Sequence, residues 1–195
     1  MTKPYLFTFE GLDGAGKTTN VARLREELDD RGHPAVALSS PSRSVLGRFI
    51  RTNMMELNPE LKDELFVVDM RDSLRTVSEG LEVVLFDRYV DSIYTSNTET
   101  TKESMTTRAQ LLPVAHRTFL LDISPEQSWE REGELSNHPL DIEWLRQKHL
   151  RYRELTHTEP ERFHIIDASK KLDEVFGEIL HVVMADIVKI ERVES

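Results

Sequence analysis

The chain contains no cysteine among its 195 residues. A disulfide framework and thiolate chemistry are therefore excluded. Long apolar runs are also missing, since no stretch approaches the roughly 18 residues that indicate a membrane-spanning helix. The first residues, 1–11, run almost at once into a strand-like segment and leave no room for a signal peptide. These absences lead us to expect a cytoplasmic protein that does not associate with a membrane.

Positive charge is also in short supply. The sequence has 25 lysines and arginines against 35 aspartates and glutamates, which gives a formal net charge of −10. Proteins that bind nucleic-acid polymers usually carry a basic stripe, so such a polymer is not expected as a partner. Small nucleotides are still compatible with this charge, because a local cluster of Lys and Arg can bind phosphate within an acidic surface.

A glycine-rich octet near the N-terminus is the most informative motif. Residues 11–18 read GLDGAGKT and match the phosphate-binding pattern G-x-x-x-x-G-K-[ST]. In such a loop the backbone N–H groups point at phosphate oxygens, Lys17 reaches the outer phosphates, and Thr18 can ligate Mg²⁺. The strand-like run Tyr5–Phe9 precedes the octet, and residues 18–28 follow it with helical spacing of apolar side chains. Strand, glycine-rich turn and helix are the context of a P-loop, so a nucleotide ligand is predicted.

Strand-like and helical segments alternate along the whole sequence. The predicted strands cover residues 5–9, 35–38, 83–86, 118–123 and 163–166. The predicted helices cover residues 18–31, 44–55, 59–79, 104–113, 125–132, 141–156 and 171–190. This alternation predicts one α/β domain with a doubly wound parallel sheet and helices on both of its faces. Two polar stretches, 95–107 and 130–140, are the candidate mobile loops.

Ligands of such sheets bind outside the carboxyl ends of the strands, and polar residues collect there in this sequence. Asp87 ends the strand-like run 83–86 as a Walker-B-type acid does, and we expect it to hold Mg²⁺ directly or through water. The alternative, a helix N-cap, is less favoured beside a P-loop. Arg88 follows at once, where a guanidinium is well placed to bind phosphate through two hydrogen bonds.

Three further residues are more ambiguous. Arg43 lies in a Pro-Ser-rich turn before a helix, where it would form a second anion site of the kind that a kinase acting on a monophosphate needs. Asp13 lies inside the P-loop, where a carboxylate is unfavourable near phosphates unless it meets a metal or a substrate hydroxyl, or bonds the neighbouring backbone. Arg71 lies in the predicted helix 59–79, and its spacing alone favours a solvated or ion-paired side chain.

Taken together, these residues resemble the thymidylate kinase family. The matching stretches occur in family order and are Phe9–Thr19, Pro41–Ser44 with Gly47, Asp87–Ser92, Ser124–Glu126, Gly133–Leu135, Arg151–Tyr152 and Ile166–Ser169. The P-loop is shared by many families, whereas its combination with Asp-Arg-Tyr followed by Ser92 is more specific. The resemblance implies a single kinase domain, 1–195, with a five-stranded parallel sheet of the P-loop NTPase type. It also implies a small mobile lid at about 130–140 and a homodimer formed through the helices at 44–55 and 59–79.

The reaction that the resemblance implies is Mg²⁺-dependent transfer of the γ-phosphoryl group of ATP to dTMP, giving dTDP and ADP. Because the acceptor is already an anion, catalysis would consist of positioning and charge neutralisation. The residues implied to bind ATP are Gly11, Asp13, Gly14, Ala15, Gly16, Lys17, Thr18, Thr19, Arg131, Ser169 and Lys170. Among these, Arg131 would stack on adenine at the start of the lid. Thr18 and Asp87 are implied to hold the metal, and the implied catalytic residues are Lys17, Arg88, Asp13 and Arg131.

On the acceptor side, the resemblance implies that Arg43 and Arg88 clamp the phosphate of dTMP. Asp13 would lie near the acceptor sugar and phosphate, and Arg71 would face the edge of the base. The substrate-binding set is therefore Asp13, Arg43, Val67, Arg71, Arg88, Ser92 and Asn97.

The chain departs from the family pattern in the base pocket and the lid. Val67 stands where the family usually has a phenylalanine stacked on thymine, and residues 95–97 read Thr-Ser-Asn in place of the common Ala-Tyr-Gln. Members with a glycine at the position of Gly14 usually supply a catalytic arginine from the lid. The lid of this chain keeps one arginine, Arg131, and is otherwise acidic or neutral.

These departures leave four hypotheses, of which a thymidylate kinase is the first. The second is a kinase for another or a modified pyrimidine monophosphate, suggested by Val67 and Asn97. The third is a deoxynucleoside kinase, although those enzymes typically show Glu-Arg-Ser after the third strand, where this chain has Asp-Arg-Tyr. The fourth is a nucleotide-binding protein with weak turnover, suggested by the lid.

Overall fold

One parallel sheet organises the protein in the computed structural model, which describes residues 4–54, 56–133 and 141–194. Its strands are β1 Tyr5–Glu10, β2 Ala35–Ser39, β3 Val83–Asp87, β4 Arg117–Asp122 and β5 Phe163–Asp167. They are ordered β2-β3-β1-β4-β5, and all the pairs are parallel. β1 therefore lies at the centre, and Phe9 near its end is in register with Asp87 of β3. This register brings the segments that follow β1 and β3 together at one edge of the sheet.

The helices in the described residues are α1 Lys17–Asp30, α2 Val45–Asn53, α3 Pro59–Arg75, α4 Val90–Ser96, α5 Lys102–Ala109, α6 Pro125–Gly133, α7 Ile142–Thr158 and α8 Leu172–Glu194. The predicted α/β class and five-stranded parallel sheet are confirmed. Within the ranges that can be described, no helix is long and apolar enough to cross a bilayer.

One of the two loop predictions is wrong, and the other lies mostly outside the described residues. The polar stretch 95–107 is not a loop, because it contains the end of α4 and most of α5. Thr101 caps α5 by accepting a hydrogen bond from the backbone N–H of Ser104, so a polar sequence can begin a helix here. Of the predicted loop and lid at 130–140, residues 130–133 form the last turn of α6, and the remainder lies outside the described residues.

The core consists of two apolar layers, one on each face of the sheet. All the side chains of β1 are buried, and they alternate between the layers. Phe7 and Phe9 pack with residues of α1 and α8, whereas Leu6 packs on the opposite face with residues of α3, α4 and α7. Burial on both faces explains why the inner strands β1, β3 and β4 are nearly continuous apolar runs in the sequence.

A buried ion pair fixes α4 against the far side of the sheet. Asp91 of α4 is fully buried, and its two carboxylate oxygens accept hydrogen bonds of 2.7 Å each from the guanidinium of Arg162. Arg162 lies just before β5 and also donates to Thr118 Oγ1 of β4 over 3.0 Å. This bidentate pair holds the segment after β3 in place, and that segment begins with Arg88.

Candidate active site

A cavity of about 680 Å³ opens at the carboxyl ends of β1, β2 and β3. Its lining residues are Asp13, Gly14, Gly16, Lys17, Thr18, Thr19, Ser39, Ser40, Pro41, Arg43, Arg51, Asp87, Arg88, Arg131 and Glu132. The structure thus brings together the P-loop, the segment after β2 and the segment after β3, which the sequence analysis singled out separately. Four arginines and one lysine converge on this space, so the cavity suits a polyanion despite the negative net charge of the protein.

The glycines of the P-loop let its backbone follow a path that other residues could not. Gly11 has φ of 140°, and a Cβ atom placed there would lie 2.4 Å from the carbonyl oxygen of Leu121. Gly14 has φ of 73°, and a Cβ atom there would lie 2.9 Å from the Cβ of Arg131 on α6. Glycine is therefore required at both positions, by backbone conformation and by close packing. The turn leads directly into α1, whose N-terminus faces the cavity.

Lys17 is held inside the P-loop. Its side chain is buried, and Nζ donates a 2.6 Å hydrogen bond to the carbonyl oxygen of Leu12. Burial, together with the nearby positive charge of Arg88, lowers the pKa of Lys17 to about 7. A phosphate group entering the loop would favour the charged form of this lysine, so ligand and lysine would stabilise each other.

The Thr18 hydroxyl donates a 2.5 Å hydrogen bond to the Asp87 carboxylate. In the parts of the chain open to description, no group of three or more His, Cys, Asp or Glu side chains forms a metal site made by the protein alone. Mg²⁺ differs from metals that need such a site, because proteins commonly bind it through one or two oxygen ligands together with substrate phosphates. A hydroxyl and a carboxylate beside a phosphate loop fit Mg²⁺ for this reason.

Arg88 spans the P-loop and the segment after β3. It has φ of 66°, a left-handed conformation that is uncommon for a residue with a side chain and that often marks a functional position. Its guanidinium forms an ion pair with the Asp13 carboxylate and donates to the carbonyl oxygen of Gly11 over 3.2 Å. Burial alone would raise the pKa of Asp13, but the charges of Arg88, Lys148 and Lys17 hold it well below its usual range. Asp13 is therefore an ionised carboxylate between cations.

A buried carboxylate that the sequence analysis did not single out supports Arg88 from below. Glu10, the last residue of β1, is fully buried, and burial raises its pKa. One of its oxygens accepts hydrogen bonds from the backbone N–H groups of Tyr89 at 2.7 Å and Ser92 at 3.3 Å. The other accepts from the Ser92 hydroxyl at 2.6 Å and the Tyr152 hydroxyl at 2.8 Å. Glu10 thus caps α4, and the hydroxyl of Ser92 points to Glu10 behind the cavity wall.

Arg43 lies on the opposite wall of the cavity from the P-loop and is exposed. Its loop is anchored by Asp69, a fully buried residue of α3. The Asp69 carboxylate accepts hydrogen bonds from the backbone N–H of Ser42 at 2.7 Å and from its hydroxyl at 2.6 Å. Ser44 caps α2 by accepting from the backbone N–H of Gly47 at 3.0 Å. These contacts leave the Arg43 side chain free to meet a ligand while the backbone beneath it is fixed.

Arg131 closes the cavity on the side of α6. Its guanidinium donates to the carbonyl oxygens of Gly14 at 3.1 Å and Ala168 at 3.2 Å. It therefore joins the P-loop to the segment after β5, which carries Ser169 and Lys170. Those two residues are exposed and do not line the cavity, and the Ser169 hydroxyl donates to Asp167 over 2.5 Å.

The structure does not bring the predicted base-pocket residues into this cavity. Val67 is a core residue only 3% exposed, and Arg71 is exposed on the same helix, α3. Asn97 is buried, and its amide donates to the Asp63 carboxylate at 3.2 Å and to the carbonyl oxygen of Pro59 at 3.3 Å. Their assignment to the nucleotide base stays a prediction.

Three further residues of the site were missed from the sequence. Glu10 carried a signal, since it is a charged residue at the end of an otherwise largely apolar strand. Arg51 lines the cavity and donates to the carbonyl oxygen of Pro41 at 2.8 Å. Nothing in the sequence around it distinguishes it from an exposed arginine on a helix. Lys148 of α7 is buried, and its Nζ lies 3.6 Å from the Asp13 carboxylate and 4.7 Å from the centre of the Trp144 ring. Nothing in the helical pattern around Lys148 distinguishes it from a solvated lysine.

Comparison with known proteins agrees with this arrangement. Residues 9–179 match the protein-family model described as thymidylate kinase. A thymidylate kinase of Bifidobacterium longum subsp. infantis is 34% identical over 196 aligned residues, covering 88% of this chain and 82% of that protein. A thymidylate kinase of Desulfovibrio desulfuricans is 34% identical, with 86% and 89% covered, and a probable thymidylate kinase of Archaeoglobus fulgidus is 31% identical, with 91% and 94% covered. The chain belongs to the thymidylate kinase family.

Proposed function

We propose that this protein transfers the γ-phosphoryl group of ATP to dTMP, giving dTDP and ADP. The observation that carries the proposal is a cavity with a P-loop on one wall and two arginines, Arg43 and Arg88, placed to meet a second phosphate. A protein that only bound ATP would need the P-loop and would not need Arg43 and Arg88 beside it. The names of the relatives supply the identity of the acceptor.

On the donor side, the backbone of residues 11–19 and Lys17 bind the ATP phosphates. Thr18 and Asp87 hold Mg²⁺, which when bound neutralises charge on the phosphate oxygens. Arg131 lies between the P-loop and the segment after β5, and its planar guanidinium is suited to stacking on adenine. Ser169 and Lys170 extend the same side of the site.

On the acceptor side, Arg88 and Arg43 bind the phosphate of dTMP. The acceptor oxygen already carries negative charge at neutral pH, so no strong general base is required. What the protein supplies is orientation and fixed positive charge. Arg88 is well prepared for this role, because the left-handed backbone sets where its side chain begins and the carbonyl oxygen of Gly11 accepts a hydrogen bond from its guanidinium.

The whole chain is proposed to form one kinase domain, with a small lid at about residues 130–140, and to work in the cytoplasm. We also propose a homodimer formed through α2 and α3. It is supported by exposed apolar side chains on these helices: Val45 and Phe49 on α2, and Leu61 and Val68 on α3, with exposed fractions of 76%, 49%, 46% and 50%.

The experiment that tests the function is a coupled assay of ADP release with Mg-ATP and a panel of acceptors: dTMP, dUMP, dCMP, UMP, dGMP and thymidine. We expect dTMP to have the highest kcat/KM, since the P-loop, Arg43 and Arg88 all line the cavity and the chain belongs to the thymidylate kinase family. Preference for another monophosphate would show that this nucleotide, and not dTMP, is the acceptor. Turnover with thymidine alone would contradict a monophosphate kinase.

A single substitution tests the second phosphate site. Arg43→Ala is expected to raise the KM for dTMP by roughly 10–100-fold, because a charge-assisted hydrogen bond contributes about 1.5–3 kcal/mol. The KM for Mg-ATP should change by less than about twofold, since Arg43 faces the acceptor. Arg75→Ala, which removes an exposed arginine at the end of α3, is the matched control. If Arg43→Ala affects thymidine and dTMP alike, its assignment to the acceptor phosphate is wrong.

A further inference from the structure

Lys148 is a buried cation with no role in the reaction proposed above. Its side chain is only 3% exposed, although it lies in a helix with a largely polar sequence. Lysine is almost never fully buried without a partner, because removing an ammonium group from water is costly. Nζ lies 3.6 Å from Asp13 Oδ2 and 4.7 Å from the centre of the Trp144 ring. The lysine therefore points from α7 into the P-loop.

Asp13 is contacted by two cations through its two oxygens. Arg88 pairs with Oδ1, and Lys148 lies beside Oδ2. While Arg88 pairs with Asp13, that one cation is enough to balance this single carboxylate. Lys148 becomes necessary when Arg88 turns to a phosphate, because Asp13 would otherwise keep only the charge of Lys17, which bonds Leu12 and faces the donor phosphates.

We propose that Lys148 is a positioning residue that keeps Asp13 neutralised while Arg88 engages the acceptor phosphate. This inference rests on the proposed function, in which Arg88 binds that phosphate. Lys148 stays paired throughout, and Arg88 exchanges one anion for another. Lys148 thus brings a positive charge from helix α7 to the P-loop. Arg131, the one arginine in residues 130–140, instead donates to the carbonyl oxygens of Gly14 and Ala168.

The charges around Lys148 agree with such a role. Burial and the nearby Arg88 lower the pKa of Lys148 to about 8, while the carboxylates of Asp13 and Glu10 oppose that shift. While both contact Asp13, the two cations therefore repel each other across its carboxylate. Movement of Arg88 to a phosphate relieves this repulsion, so the arrangement favours engagement of the acceptor.

The test is a double-mutant cycle between Lys148→Met and Asp13→Asn, with kcat and both KM values measured for dTMP and Mg-ATP. Methionine matches the length and apolar stem of lysine and removes the charge. We expect Lys148→Met to lower kcat/KM for dTMP by about tenfold or more, with the KM for Mg-ATP changed by less than about twofold. In the Asp13→Asn background the same change should have less than about a twofold effect. Lys148→Arg should retain most of the activity, because it keeps the charge.

The matched control is Arg146→Met, which removes an exposed cation from the same helix and should leave kcat and both KM values unchanged. The melting temperature of Lys148→Met should stay near that of the unmodified protein, because Arg88 still pairs with Asp13 when the site is empty. A methionine variant that fails to fold would contradict the inference for this reason. So would an unchanged kcat/KM, an equal effect in the Asp13→Asn background, or no rescue by arginine.

Arg88→Met separates failure of this inference from failure of the proposed function. If Arg88→Met leaves the KM for dTMP unchanged, or if the unmodified protein does not phosphorylate dTMP, both proposals are wrong. If Arg88→Met raises that KM and Lys148→Met does not, only the role of Lys148 is wrong.

Discussion

Lys17→Ala is expected to lower kcat for phosphoryl transfer by at least roughly 10²–10³-fold, the loss seen when one fixed charge-stabilising group is removed from an active site. Lys17 is the only lysine that lines the described cavity, and it lies in the P-loop itself. Alanine removes both its charge and its 2.6 Å contact to the carbonyl oxygen of Leu12. Because that charge would face the transferring phosphoryl group, the loss should fall on kcat more than on the KM for dTMP.

The assay is coupled ADP release at saturating Mg-ATP and dTMP, with the melting temperature recorded for each variant. Lys189→Ala is the control, since it removes an exposed lysine of α8 far along the chain from the P-loop. Folding of Lys17→Ala should be retained, because burial already disfavours the charged form of this lysine in the empty protein. If the variant keeps kcat within tenfold of the unmodified protein, every kinase mechanism that places Lys17 on the phosphates is wrong.

Asp91→Ala is expected to reduce the free energy of unfolding by about 3–5 kcal/mol, because it removes two charge-assisted hydrogen bonds and leaves the Arg162 guanidinium with only the exposed carboxylate of Glu159, 2.8 Å from Nε. The two hydrogen bonds of 2.7 Å and the full burial of Asp91 make this a strong pair in structural terms. For a chain of this size such a loss corresponds to a fall in melting temperature of roughly 6–20 °C. Urea denaturation followed by circular dichroism measures the free energy directly.

The control for Asp91→Ala is another Asp–Arg pair of similar length. Arg23 and Asp173 are 2.6 Å apart, but their side chains are 42% and 85% exposed. Asp173→Ala should leave the free energy of unfolding essentially unchanged, since water replaces an exposed partner. Adding Arg162→Met to Asp91→Ala should recover part of the lost stability, because the guanidinium that has lost its buried partner is then removed. If Asp91→Ala and Asp173→Ala reduce the free energy of unfolding equally, burial does not determine how much these ion pairs contribute to stability.

The strands could be predicted from the sequence because each is a short apolar run, and the three inner strands, β1, β3 and β4, are buried on both faces. Their ends could not, since Glu10, Ser39, Asp87 and Asp167 are polar and still belong to strands. Glu10 and Asp87 are buried at these positions, where they serve the site. The local sequence predicts loops at these polar residues. Only their pairing with the neighbouring strands shows that they belong to the sheet.

Helix α4 was not predicted because its stability comes from distant residues. It has only 7 residues, too few for a convincing apolar period. The N–H groups at its start are bound by Glu10, about 80 positions earlier in the chain, and Asp91 is held by Arg162. Neither contact leaves a mark in the local sequence.

Within the site, the residues that act through backbone or at strand ends were predictable from motif and position. Lys17, Thr18, Asp87, Arg88 and Arg43 all line the cavity. Lys148 was not predictable, because its importance depends on α7 packing across the P-loop, a tertiary contact between residues 135 positions apart. Asn97 lies outside the cavity lining and its amide donates to the Asp63 carboxylate, so its assignment to the substrate stays a prediction.

The central position of β1 has a consequence for synthesis of the chain on the ribosome. β1 is translated first, yet its neighbours β3 and β4 begin only at Val83 and Arg117, and β2 is separated from it by β3. At about 5–20 residues per second, the roughly 70 residues between β1 and β3 take about 4–14 s to add. During that interval an apolar strand has both edges free, a state that favours aggregation. Nascent chains that stop before Val83 contain no native neighbour for β1, so β3 completes the first stable part of the sheet.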